Sequence, residues 1–101
     1  MYSRVTLLEI DILRTGIDEA LGLFTEHVLP GLREQEGYEG VLVLTTPEGR
    51  GMIVSFWETE SDANAASAFA TGTLERYVML FSAPPGREHY EVAFADLPIV
   101  A

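Results

Sequence analysis

Two histidines, one tryptophan, four tyrosines and a single asparagine are the side chains through which this chain can do chemistry. His27 and His89 can each take or release a proton near neutral pH, so either suits a general base. They lie far apart in sequence, with no cysteine and no HxH or HExxH spacing, and so form no metal-site pattern. The stretch SFWETESDANAAS (Ser55–Ser67) joins an aromatic-rich run to acidic and small residues. Ser55 and Trp57 share strand parity with Ile53, so the three face one way, and Trp57 suits the wall of an aromatic pocket. The commoner fate of a lone strand tryptophan is to fill a core or an interface. Asn64 is placed to offer an amide to a substrate oxygen, against the usual capping or solvated role of asparagine near a helix start. Tyr77 and His27 each sit beside a residue of an apolar helical stripe, where a margin side chain can reach a pocket mouth.

Composition narrows the chemistry. Sixteen acidic residues stand against six basic ones, all arginine and scattered, for a net charge of −10. Such a field repels polyanions, so neither nucleic acid nor an anionic membrane is an expected partner. The absence of cysteine removes disulfides and thiolate nucleophiles, and the absence of lysine removes Schiff-base chemistry. The opening MYSRVTLLEIDIL has neither the basic start nor the long apolar run of a leader or span, so a cytoplasmic location is expected. With 101 residues and 48% hydrophobic content, a single domain over 1–101 is expected.

The elements that must position these groups follow from periodicity. Tyr2–Ile12 is apolar at both parities, as in a strand covered on both faces. From Ile17 the spacing changes to that of an amphipathic helix (Ile17, Ala20, Leu21, Phe24, Val28, Leu32), with a kink expected at Pro30 and an end at Gly37 or Gly40. VLVLTT (Val41–Thr46) and MIVSFW (Met52–Trp57) around PEGRG read as a hairpin. Thr59 or Ser61 then caps a second helix. Its stripe reads Ala63, Ala66, Ala70, Leu74, Val78 and Phe81, with a possible division at Gly72-Thr73. Ser82–Gly86 is expected to stop that helix, and Glu88–Ala95 to form the last strand. The order is β-α-β-β-α-β: an α+β, ferredoxin-like antiparallel sheet with both helices on one face. Strands apolar on both faces leave one face uncovered, so a second copy packed sheet to sheet is expected.

VLPGLREQEGYEG (Val28–Gly40), VSFWETESDANAAS (Val54–Ser67) and the closing HYEVAF (His89–Phe94) together resemble the antibiotic biosynthesis monooxygenase-like family over nearly the whole chain. The resemblance implies a dimeric α/β barrel and, among characterised activities, cofactor-independent oxygenation of quinols and anthrones or degradation of haem. The haem-degrading pattern, an asparagine on the first strand with tryptophan and histidine on the second helix, is missing from this chain. Of the polyketide-oxidising pattern the residue types are present as Asn64, Trp57, Tyr77 and Arg76, in a different order and spacing. The expectation is therefore an oxygenase without metal or flavin, acting on a small apolar or aromatic molecule. His27 and Tyr77 would be catalytic; Trp57, Ser55 and Asn64 would bind substrate. The alternative is a non-catalytic, dimeric, ligand-binding or stress-associated domain of the same fold.

Overall fold

The structure is a computed structural model that describes residues 1–76 and 81–97. Four strands, β1 (Tyr2–Ile10), β2 (Tyr38–Thr45), β3 (Arg50–Trp57) and β4 (Phe81–Glu91), form one antiparallel sheet in the order β2-β3-β1-β4. Helices α1 (Ile17–Leu23) and α2 (Leu29–Arg33), joined by a π-helical turn over Phe24–Val28, connect β1 to β2; α3 (Glu60–Glu75) connects β3 to β4. This is the expected ferredoxin-like α+β arrangement, with the helices packed on one face of the sheet. Among the described residues no helix is long and apolar enough to cross a membrane.

The first helical region breaks where its chemistry demands it. Pro30 offers no N–H, and the turn before it widens, with the Leu29 N–H reaching back five residues to the Phe24 carbonyl. The expected kink is thus a π turn followed by a short new helix. Gly37 follows at φ +79°, and a Cβ there would run into the Asp62 carboxylate, so glycine is required twice over. The Gly37 carbonyl accepts the Glu58 N–H at 2.8 Å, tying the helix exit to the end of β3.

Of the two possible caps for α3, Thr59 is the one used: its Oγ1 accepts the Asp62 N–H at 3.0 Å. The helix is not divided at Gly72-Thr73. It runs through to Glu75, and the Thr73 hydroxyl donates back to the Phe69 carbonyl at 2.9 Å instead of capping a new piece.

The last strand departs most from the sequence reading. β4 begins at Phe81, which was expected on the helical stripe, and ends at Glu91 rather than Ala95. Pro84-Pro85 lies inside it. Leu7 pairs with Gly86 and Glu9 with Ala83, so the two prolines stand opposite the single residue Leu8 in a bulge. β4 is an edge strand, where a missing N–H is tolerated and a bulge absorbs the mismatch. Val78, expected on the α3 stripe, lies outside the described residues.

The core lies between sheet and helices, around Leu32, Trp57, Ala63 and Ala66. Trp57 is fully buried, and Tyr38 meets it edge to face at 5.8 Å. Alanines on α3 let the helix approach the indole closely. The opposite sheet face carries Leu7, Leu42, Leu44, Met52, Val54 and Phe56, with Leu7 42% and Leu44 52% exposed. Among the described residues no helix covers that face.

Candidate functional site: a cavity between sheet and helices

A small cavity of about 30 Å³ opens between the sheet and the helical layer. Its floor is Arg4 and Thr6 of β1 with Ile53 and Ser55 of β3. These positions share a face because Arg4 pairs with Ser55 and Thr6 with Ile53 in the antiparallel register. Its roof is Phe24 and Val28 of the π turn, Leu32 of α2, and Phe69 and Ala70 of α3. The roof is wholly apolar; the floor supplies the polar groups.

Those polar groups are wired together. The Trp57 indole N–H donates to Ser55 Oγ at 2.9 Å, and that hydroxyl donates to the Arg4 carbonyl at 3.4 Å. Arg4 is only 4% exposed, and its Nη1 donates to Thr6 Oγ1 at 3.3 Å. A buried guanidinium keeps its charge, because its pKa lies far above any physiological pH. The floor therefore carries a guanidinium beneath an apolar roof.

The residues singled out by sequence do not all converge here. Ser55 lines the cavity. Trp57 stands outside the lining, sealed in the core and hydrogen-bonded to the cavity residue Ser55. His27 lies at the surface. Its side chain is 54% exposed, with Nε2 3.8 Å from the exposed Glu26 carboxylate, and it is not part of the lining. The π turn directs Phe24 and Val28 inward, which leaves His27 outward, so the expected proton acceptor is not at the cavity. Asn64 is exposed on α3. Tyr77 lies outside the described residues, and at His89 only the backbone is described, in register with Arg4. Near the Trp57 end of the sheet, the Tyr2 hydroxyl is pushed up from its ordinary pKa. Desolvation is the largest cause, followed by the Glu60 charge and hydrogen bond and then Glu91, so it stays a neutral phenol at neutral pH.

Arg4 and Thr6 were missed. The available signal was parity: Arg4 and Thr6 are polar residues at the same parity as the apolar Leu8 and Ile10.

Gly31 sets the height of the roof. A Cβ there would lie 2.6 Å from the edge of the Phe69 ring, which itself lines the cavity. Gly31→Val is expected to displace that ring and destabilise the fold by about 1–3 kcal/mol through overpacking, read as a lower urea midpoint at unchanged m.

The β2-β3-β1-β4 sheet with its helical layer on one face is a ferredoxin-like fold that this chain shares with solved structures of antibiotic biosynthesis monooxygenase-like proteins. The chain is similar over 97% of its length to 92% of the monooxygenase from the ActVA-Orf6 gene of Streptomyces coelicolor, solved with nanaomycin D, at 20% identity and TM-score 0.73. A candidate antibiotic biosynthesis monooxygenase from Deinococcus radiodurans matches at 16% identity and TM-score 0.73, covering 99% of this chain and 100% of that one. The haem degrader MhuD of Mycobacterium tuberculosis, solved with two haems in its active site, matches at 18% identity and TM-score 0.71, covering 95% and 99%. No protein-family model and no curated protein matches the sequence.

Proposed function

We propose that the chain is a cofactor-independent monooxygenase acting on a small quinol- or anthrone-like aromatic, working as a cytoplasmic homodimer whose subunits are single domains. The observation that carries this reading is the cavity floor, where buried Arg4, Thr6 and Ser55 lie beneath a roof of Phe24, Val28, Leu32 and Phe69. The fold shared with the Streptomyces monooxygenase supports it.

An electron-rich aromatic supplies its own electrons to dioxygen once ionised, so the protein's part is a dry pocket and donors for the developing anion. For anthrone, the two C–H bonds of the methylene break, one oxygen atom of O₂ becomes the new carbonyl, and the other leaves as water. No outside reductant enters that balance. Benzene occupies a cavity of about 150 Å³, so a ring enters only when the roof over residues 24–33 lifts from the sheet. That segment is two short helical pieces, the π turn and α2, which meet next to Pro30 and suit such a movement.

The purified protein with anthrone in an oxygen electrode is expected to consume one O₂ per anthrone without releasing peroxide. With haem and a reductant, the Soret band is expected to persist, because the residue pattern of haem degraders is missing. No oxygen uptake across a panel of quinols and anthrones would leave the second reading, a non-catalytic ligand-binding domain of the same fold. The exposed position of His27 favours that second reading, since it leaves the cavity without an imidazole from the first helical region.

A further inference from the structure

The cavity is small, partly open, and faced almost wholly by apolar atoms. Phe24 and Val28 reach it from the π turn, a helix irregularity that occurs often at functional sites. The Phe69 ring packs against the bare backbone of Gly31, where a Cβ would lie 2.6 Å from it, and is thereby held in the roof. The polar atoms of the floor are spent on one another. Ser55 Oγ accepts from Trp57 and donates to the Arg4 carbonyl, Thr6 Oγ1 accepts from Arg4 Nη1, and Arg4 is engaged further within the fold. A buried water needs about two to four polar partners, and neither the apolar roof nor this self-paired floor is built to supply them.

Size narrows the occupant further. About 10–15 Å³ suffices for one water, whereas benzene occupies about 150 Å³. At about 30 Å³ the cavity admits a molecule the size of a diatomic and excludes a ring while the roof is down. Such a guest restores the dispersion contacts that an empty space denies to every atom lining it.

We infer that this cavity is a preformed binding site for a small apolar gas molecule, dioxygen by class, taken up without a hydrogen bond or a charge partner. The binding is non-covalent. The opening passes a diatomic with the roof in place, whereas an aromatic ring needs the roof lifted, so the gas has a seat of its own on the sheet floor. The inference deepens the oxygenase reading, on which it rests for the choice of dioxygen among small apolar molecules.

The test uses the full-length protein and methyl-resolved nuclear magnetic resonance under oxygen and under nitrogen, because dissolved dioxygen is paramagnetic and speeds the relaxation of nuclei it touches. The methyls of Val28, Leu32, Ile53 and Ala70 should relax several times faster under oxygen. The sharpest contrast is between two buried residues: Leu32, which lines the cavity, should respond, and Ala63, which does not, should change little. Xenon, a diamagnetic probe of the same apolar class, should shift the lining methyls and leave Ala63 in place. Ala70→Leu should fill the space and abolish both effects while circular dichroism stays unchanged. If that variant does not fold, the contrast between Leu32 and Ala63 in the wild type still decides. Equal relaxation of Leu32 and Ala63, or lining methyls that xenon leaves unshifted, overturns the inference. Localised relaxation with no oxygen uptake from anthrone keeps the gas site and removes the oxygenase reading, whereas uptake without localised relaxation does the reverse.

Discussion

Trp57→Ala should cost about 3–5 kcal/mol, the usual range for emptying a buried tryptophan site. The indole is fully buried among Leu32, Ala63 and Ala66, and alanines cannot reach across to refill the space. The loss also removes the donor to Ser55 Oγ and the edge-to-face partner of Tyr38. Small domains have only about 5–15 kcal/mol of net stability, so the variant should sit near its unfolding threshold. Urea unfolding monitored by far-ultraviolet circular dichroism gives the number. Trp57→Phe keeps most of the volume and loses the hydrogen bond, and should cost less, about 1–3 kcal/mol. A Trp57→Ala protein as stable as wild type would mean that the indole does not hold this core.

The second large effect is expected on the open sheet face. Wild-type protein in light scattering should give about twice the chain mass of 11.1 kDa, because the face with Leu44, Met52, Val54 and Phe56 needs a partner. Val54 lies at its centre, paired across the sheet with Val5 on one side and Leu42 on the other. Val54→Asp would place a carboxylate in a desolvated sheet-to-sheet interface at a cost of several kcal/mol, enough to weaken association about a thousandfold or more. The variant should therefore run as a monomer, or aggregate, at micromolar concentration. A monomeric wild type, or a Val54→Asp dimer as tight as wild type, removes the sheet-to-sheet interface from the proposal.

These expectations divide according to where their information lies. Whether residues form strand or helix was legible from one-dimensional patterns, because side-chain period follows directly from backbone geometry. The hairpin around Pro47–Gly49, the helix beginning at Ile17 and the cap at Thr59 are local matters of this kind. β4 was misplaced because Pro84-Pro85 stops a central strand but not an edge strand, and a strand's rank in the sheet is not a local property.

The candidate site divides the same way. Sequence put Ser55 and Trp57 on one strand face, since that needs only parity. It could not separate them into a cavity liner and a sealed core residue, which depends on how closely the α3 alanines approach. It put His27 at a stripe margin, where about 100° per residue leaves the direction open, and the π turn shifts that angle. It passed over Arg4, because a charge near a strand's start reads as solvated until the register shows what lies beside it. By itself, then, the sequence determined the types of the elements, their order and the apolar outer face of the sheet, all set by short-range periodicity. Only the tertiary structure decided that β1 and β3 meet with Arg4 beside Ser55, that an apolar roof closes over them, and that His27 turns away. Those outcomes depend on contacts between residues some fifty positions apart, such as the Ser55 hydroxyl on the Arg4 carbonyl, which no local spacing encodes.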